Sequence, residues 1–275
     1  MTDLSLFDLN GRKALVTGGA AGIGRACAFA LAMGGADVAI ADLNEELGSA
    51  TVDALRSKGR EALFVPCDVT QSASVHGMID AVVHRFGRLD IAVNSAGIFR
   101  FGNDADCPLE QWQQVTDVNL TGAWLCSTAQ MRQMARQSPT EGKIINIASI
   151  GAHMAVSNGS YDASKAGLVQ LTKTLARQWG CYNINVNCVS PGYVDPVFGQ
   201  HRGPQEQQRL IETTPLGRMQ RLGDLYGAIM FLASRASDFM TGQNLVVDGG
   251  HTLSTWLSPL EQQRAPARSA PSVWQ

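Results

Sequence analysis

What this 275-residue chain lacks excludes several kinds of protein. No apolar run approaches the roughly 20 residues needed to cross a bilayer, so no membrane partner is expected. Met1 to Asn10 carries acids but no basic segment of the kind that opens a secretory leader, and a cytoplasmic location is expected. The net charge is −2 and no basic cluster stands out, which disfavours nucleic acid as a partner. Six cysteines (positions 27, 67, 107, 126, 181 and 188) form no CxxC pair and no Cys/His ligand spacing. Reduced thiols are expected, several of them in the core, and no metal. Internal repeats are missing too, and no linker interrupts the chain before Ser254.

What is present reads as one large α/β domain, with 45% hydrophobic residues to build its core. Strands are expected near 12–17, 37–41, 62–66, 89–93, 143–149, 184–189 and 244–248. Helices are expected near 22–34, 44–58, 71–86, 109–137, 160–180 and 223–235, with a shorter one around 204–213. Several strands are continuous apolar runs, as in a parallel sheet covered on both faces. Right-handed crossovers then give a doubly wound, Rossmann-type domain over residues 1–253, with a seven-stranded parallel sheet flanked by helices. A ligand would sit outside the carboxyl ends of its strands. Residues 254–275 form a polar, proline-bearing extension, either disordered or strapped across a neighbouring subunit.

Lys13 to Thr17 reads as a buried strand, Gly18 to Gly24 as a glycine loop and Arg25 to Met33 as an apolar helix. A strand, glycine loop and helix in this order build a phosphate site. The backbone of Gly18, Gly22, Ile23 and Gly24 can approach a pyrophosphate, and the helix's free N–H groups and dipole receive its charge. A glycine turn without a ligand is the plain alternative. About twenty residues on, Asp42 ends the second strand, where a carboxylate accepts hydrogen bonds from adenosine ribose hydroxyls and repels a 2′-phosphate. Leu43 follows it, and no arginine or lysine lies within the glycine loop, so NAD is expected as the cofactor rather than NADP. A capping aspartate ahead of the helix from Asn44 would occupy the same position.

Tyr161 and Lys165 are four residues apart on an expected helix, so both side chains share one face. A phenol ordinarily ionises near pH 10, and an ammonium beside it favours the phenolate. That pairing suits taking a proton from an alcohol while another group accepts the hydride. Chance spacing on a surface helix is the bland reading.

With these motifs in order, the chain resembles the short-chain dehydrogenase/reductase family from about Leu9 to Leu253. The family's TGxxxGxG loop matches Thr17 to Gly24, and its NNAG motif matches Asn94-Ser95-Ala96-Gly97, with serine for the second asparagine. Its active-site asparagine falls on Asn119, its serine on Ser149, and its tyrosine and lysine on Tyr161 and Lys165. The proline-glycine motif is Pro191-Gly192-Tyr193-Val194, and Pro215 to Arg218 and Thr241 to Gly250 match as well.

The resemblance implies cofactor contacts from Asn94, Ala96, Gly97, Pro191, Gly192 and Val194, and from Asp68 and Val69 against the adenine. An Asx turn or cap is the rival reading of Asp68. Lys165 would lower the tyrosine pKa and hold the nicotinamide ribose. Asn119, in a helix where asparagine has poor propensity, would kink the helix or hold a relay water. Ser149 would hold the substrate hydroxyl, and His153 and Tyr193 would line the substrate pocket, although a loop histidine also suits a plain structural role. Arg100 is either a substrate contact or a surface arginine. A homotetramer or homodimer is implied, with Trp124, Leu125, Leu168, Leu171 and Leu175 available for its helical interface.

Two departures stand out. Ser149 and Tyr161 lie one residue closer than in most relatives, which suggests a deletion between Gly151 and Ser160. Pro196 stands where a threonine often contacts the carboxamide, leaving that contact to the backbone of Val194. The expected activity is NAD-dependent oxidation of a secondary alcohol, with a sugar or polyol favoured. A 3-oxoacyl or other ketone reductase using NADPH is the alternative, and a non-catalytic dinucleotide sensor the second.

Overall fold

Alternate residues of each central strand enter opposite cores. Val16, Ile40, Val93 and Ile145 pack on one face against Leu31, Leu55, Ile229 and Leu232. Their neighbours Leu15, Ala39, Ala92 and Ile144 pack on the other against Val82, Met131 and Leu175. With both faces dry, a strand has no polar side to show, which explains the unbroken apolar runs.

A computed structural model describes residues 4–100, 104–195 and 203–253; Pro196 and the extension 254–275 lie outside the described residues. In chain order the elements are β1 (Lys13–Thr17), α1 (Gly22–Met33), β2 (Asp37–Asp42), α2 (Glu45–Arg56), β3 (Ala62–Pro66) and α3 (Ser72–Phe86). Next come β4 (Ile91–Asn94), α4 (Leu109–Thr116), α5 (Ala123–Arg136), β5 (Gly142–Ile147), α6 (Gly159–Trp179) and β6 (Ile184–Pro191). The remainder is β7 (Val194–Asp195), α7 (Pro204–Thr213), β8 (Gln220–Arg221), α8 (Tyr226–Ala233) and β9 (Asn244–Val247). The seven-stranded sheet runs β3-β2-β1-β4-β5-β6-β9 with every pair parallel, while β7 and β8 form a separate two-residue bridge. This is the expected doubly wound sheet. Its order reverses between β1 and β4, the place where such sheets open a crevice for ligands.

The expected helix over 109–137 is broken by a π turn, Asp117–Gly122, which carries Asn119 at its centre. The helix expected over 223–235 shortens to α8, flanked by 3₁₀ turns at Leu222–Leu225 and Arg235–Ser237. Leu168 and Leu175 are almost fully buried, and the half-buried Leu125 and Leu171 pack against the same core as Leu175. Trp124 alone of the expected interface residues is exposed, and Leu109 and Trp112 are exposed with it. All six cysteines are free, and Cys27, Cys67, Cys126 and Cys188 are buried. Among the described residues no helix is long and apolar enough to cross a membrane.

Between the sheet and α5 and α6 lies a cluster of buried amides and hydroxyls. Asn94 Nδ2 donates toward Ser127 Oγ, Gln130 Oε1 and Asn146 Oδ1 at 3.0, 3.1 and 3.0 Å. Gln130 Nε2 donates back to Asn94 Oδ1 at 2.8 Å, and Asn146 Nδ2 donates to Thr172 Oγ1 at 2.9 Å. The motif asparagine expected at the cofactor therefore spends its side chain inside the protein, because each buried polar partner must be satisfied. Asn94→Ala leaves Gln130 and Asn146 short of partners and should lower the unfolding free energy by about 2–4 kcal/mol, read by urea denaturation. An unchanged midpoint would show that the cluster does not hold the layers together.

Candidate active site

β1 delivers Thr17 to the sheet rim and the chain turns at Gly18, whose φ of +65° suits glycine. A Cβ on Gly18 would meet the Ala96 backbone at 2.7 Å, and one on Gly24 would lie 2.0 Å from Gly18 O. The loop thus presses against both the β4 turn and its own helix. One residue of the loop, Ala20, is clamped from two sides. Ala20 N donates to Asp42 Oδ2 at 3.1 Å, and Thr51 Oγ1 on α2 donates to Ala20 O at 3.0 Å. Asp42 Oδ1 accepts from Asn44 N, but the cap of α2 is Asn44 itself, whose Oδ1 accepts from Leu47 N at 2.9 Å.

At the entry to α1, Ala21 supplies no side-chain cap, so the first-turn N–H groups rely on other partners. They open on a cavity of about 430 Å³. Gly18, Gly22, Ile23, Gly24, Asp42, Leu43, Asp68, Val69, Ala96, Gly97, Tyr161 and Lys165 line it, all of them expected from the sequence. A backbone cradle that any Cβ would fill, at an uncapped helix start with a carboxylate at the second strand, fits the diphosphate and adenosine ribose of a dinucleotide.

Of the other expected contacts, several are committed within the protein. Asn94 belongs to the buried cluster. Pro191 ends β6, and Gly192 N is committed to Gln220 Oε1 at 2.7 Å and Val247 O at 3.1 Å. Val194 is buried in the bridge to Gln220. Asp68 Oδ1 accepts from Thr70 N and Thr70 Oγ1 at 2.9 and 2.8 Å, the Asx-turn alternative, while the residue still borders the cavity. A larger cavity of about 560 Å³ opens at the amino ends of the strands. Ion pairs line it, among them Arg12 with Glu141 and Lys143 with Asp238, and it gathers none of the reactive groups.

Ser149 and Tyr161 are both buried; Tyr161 lines the cavity, and Ser149 lies near enough for its side chain to favour the phenolate. Asn158 caps α6, its Oδ1 accepting from Tyr161 N at 3.2 Å. The ring of Phe99 packs edge-on against Tyr161, with centroids 5.2 Å apart. Lys165 Nζ lies 5.8 Å from the Tyr161 ring centroid and donates to Ile147 O at 2.9 Å. Asn119 Oδ1 accepts from Ile98 N at 2.8 Å, and its Nδ2 donates to Ile98 O at 3.0 Å and toward Ser164 Oγ at 3.2 Å. Asn119 and Lys165 approach each other across Gly97, where a Cβ would lie 3.3 Å from Asn119 Oδ1 and 3.5 Å from Lys165 Nζ.

The electrostatics reverse one expectation. Burial raises the Tyr161 phenol above its ordinary value; the hydrogen bond from Ser149 opposes this, and the nearby Asp162 adds to it. Burial also pulls the Lys165 ammonium down to about 8. Desolvation therefore outweighs the lowering of the phenol expected from the helical spacing.

His153 is exposed, with Nε2 2.6 Å from Asn244 Nδ2 on β9, so it borders the sheet's last strand rather than the cavity. Tyr193 stacks edge-on with buried His251 at 5.0 Å, on the side of the rim away from the glycine loop. Arg100 is exposed and donates to Phe99 O, a surface role. Thr51, Phe99, Ile98, Ile147 and Gln220 were not legible as site residues. Ile98 and Ile147 act through backbone groups, Phe99 through a ring edge, and Thr51 and Gln220 through side chains bonded to backbone far away in the chain; no local motif marks such contacts.

Comparison with known proteins agrees with this geometry. The family model described as enoyl-(acyl carrier protein) reductase matches residues 18–252. The chain is 41% identical to trans-4-hydroxycyclohexanecarboxylate dehydrogenase of Sinomonas cyclohexanicum, over 88% of this chain and 93% of that one. It is 38% identical to D-threitol dehydrogenase of Mycolicibacterium smegmatis, over 90% and 95%. A solved gluconate 5-dehydrogenase from Burkholderia cenocepacia, in complex with NADP and tartrate, matches with a TM-score of 0.87 and 37% identity, covering 92% and 99%.

The buried ammonium has a cost with a definite pH sign. With its folded value at about 8 against 10.5 ordinarily, Lys165 destabilises the fold fully below pH 8, and the cost fades as pH rises toward 10.5. Lys165→Met should therefore raise the unfolding free energy at pH 7 by on the order of 1–3 kcal/mol, a gain that shrinks toward pH 10. Thermal melts of both proteins across that range check the sign, and a destabilised variant at pH 7 would reject it.

Proposed function

We propose that this chain, which belongs to the short-chain dehydrogenase/reductase family of oxidoreductases acting on CH–OH groups, is an NAD-dependent dehydrogenase of secondary alcohols, with sugars and polyols favoured. One observation carries the reading: Tyr161 and Lys165 line the same cavity as the glycine cradle, with buried Ser149 close to the phenol. Residues 1–253 would form the catalytic domain, with 254–275 as an extension.

Gly18, Gly22, Ile23 and Gly24 would hold the diphosphate, and Asp42 the adenosine ribose. Asp42 supports NAD because a 2′-phosphate would meet its carboxylate, although a relative carries NADP. The bound nicotinamide supplies the hydride acceptor. The substrate hydroxyl would donate to Tyr161 Oη as phenolate, with Ser149 Oγ holding the same oxygen. Lys165, an ammonium through neutral pH, stabilises the phenolate once the proton is withdrawn, and Asn119 would hold a water that carries the proton outward.

Relatives named for threitol and gluconate support a polyhydroxylated substrate, and one named for a hydroxycyclohexanecarboxylate supports a ring alcohol. The NADPH-dependent ketone reductase is the second reading, favoured by the acyl-carrier description of the matching family model. A non-catalytic dinucleotide sensor runs against the full Asn119, Ser149, Tyr161 and Lys165 set. A cytoplasmic enzyme is proposed, supported by six unpaired thiols.

An absorbance panel of sugars, polyols and secondary alcohols with NAD and NADP tests the proposal. Turnover with NAD is expected, and Tyr161→Phe should lower kcat at least about 100-fold. Because the phenol is raised, oxidation should speed up as pH climbs above neutral, and reduction, which needs the proton on Tyr161, should gain as pH falls. Strong NADPH preference would favour the reductase, and no turnover with any alcohol would revive the sensor.

A homotetramer, or a homodimer, is proposed through the exposed Leu109, Trp112 and Trp124 of α4 and α5. Light scattering at micromolar concentration should show an assembly in the native protein and a smaller species for Trp124→Glu. A native monomer would contradict it.

A further inference from the structure

The loop joining Ser149 to Tyr161 is held at one point by the residue that follows the tyrosine. Asp162 Oδ2 accepts from Val156 N at 3.0 Å and from Ser157 N at 3.2 Å. Its other oxygen, Oδ1, is buried without a hydrogen-bond partner and faces Gly151 so closely that a Cβ there would lie 2.4 Å away. Gly151 N in turn donates to Ser149 Oγ at 3.1 Å. One carboxylate thus grips both ends of the loop. Its far end is bound by two hydrogen bonds, and its near end rests against the glycine that orients the serine hydroxyl.

The helical side of the contact is equally fixed. Asp162 N donates to Asn158 O at 3.1 Å, and Asn158 caps the helix turn that carries Tyr161. Asn158 Nδ2 also donates to Arg100 O at 2.8 Å, and Asp104 accepts from Gly159 N at 2.9 Å, so the start of α6 is anchored independently of the loop. Loss of the Asp162 carboxylate would then release the loop and leave Tyr161 in place. A buried carboxylate oxygen without a partner is costly, and two backbone N–H bonds to the other oxygen offset part of that cost.

We propose that Asp162 is a positioning residue that acts through Ser149: its carboxylate fixes the shortened loop 150–158 on α6 and so sets the serine hydroxyl in register with Tyr161. The inference rests on the dehydrogenase reading of the site. It concerns relative placement, to which reacting geometries are sensitive, since a shift of about 1 Å can cost on the order of 100-fold in rate.

A double-mutant cycle with a second, non-kinetic readout tests it. Asp162→Ala should lower kcat about 10- to 100-fold with the KM for the dinucleotide within about twofold of native. Asp162→Asn, which keeps one carbonyl acceptor for the loop amides, should restore most of that loss. In a Ser149→Ala background, Asp162→Ala should cost less than about twofold further, because its effect is already spent. Hydrogen–deuterium exchange across 150–158 should run about tenfold faster in Asp162→Ala and stay native-like at the start of α6. Additive losses in the cycle, or native-like exchange in the loop, would overturn the proposal. Should the alanine variant not fold, Asp162→Asn takes its place in each arm, with smaller changes of the same sign expected. Absence of any turnover in the native enzyme strikes the dehydrogenase reading instead, while the exchange arm still decides whether the carboxylate holds the loop.

Discussion

Polar groups sealed into a dry interior hold this site together. Asn94 at the end of β4 and Asn146 on β5 share hydrogen bonds with Ser127 and Gln130 of α5 and Thr172 of α6. None of these side chains can turn to water, so each fixes the others. The cluster thereby locks the strands leading to Gly97 and Ser149 against the helix bearing Tyr161 and Lys165. Apolar packing alone is tolerant of small sliding motions; directional bonds among buried amides are far less so.

The reactive pair works against its surroundings. Burial favours the neutral phenol and disfavours the ammonium, so at neutral pH the fold carries an electrostatic cost at Lys165, while Tyr161 stays protonated. A group whose pKa lies near working pH exchanges its proton readily there, and Lys165 at about 8 has been brought into that range. Ile147 O is the hydrogen-bond partner of the Lys165 ammonium, and it is a backbone atom at the end of β5 in the central sheet.

Much of this was legible in the residues themselves. The apolar strand runs, the glycine loop and the Tyr161 to Lys165 spacing dictate local geometry directly, and the parallel sheet and one shared cavity follow from them. Asn119 was read as a kink or a water holder, and its π turn agrees with the first half of that reading. Side-chain direction was harder. Asn94, Gly192 and His153 sit where a motif or a neighbour suggested ligand contact, yet long-range partners (Gln130, Gln220 and Asn244) claim their polar groups. Such partners are 28 to 91 positions distant in the chain, and no local pattern announces them. The sign of the Tyr161 shift was equally hidden, because spacing reports on the nearest charge while burial is a property of the whole fold.

The π turn over Asp117–Gly122 has a geometric consequence beyond Asn119. A single added residue advances everything after it by about 100° around the helix axis. α5 therefore does not continue the azimuth of α4. The phase offset allows Val115 to face inward on the first segment while Ser127, Gln130 and Met134 face the sheet on the second. An uninterrupted helix of the same sequence would set those two groups about a quarter-turn apart.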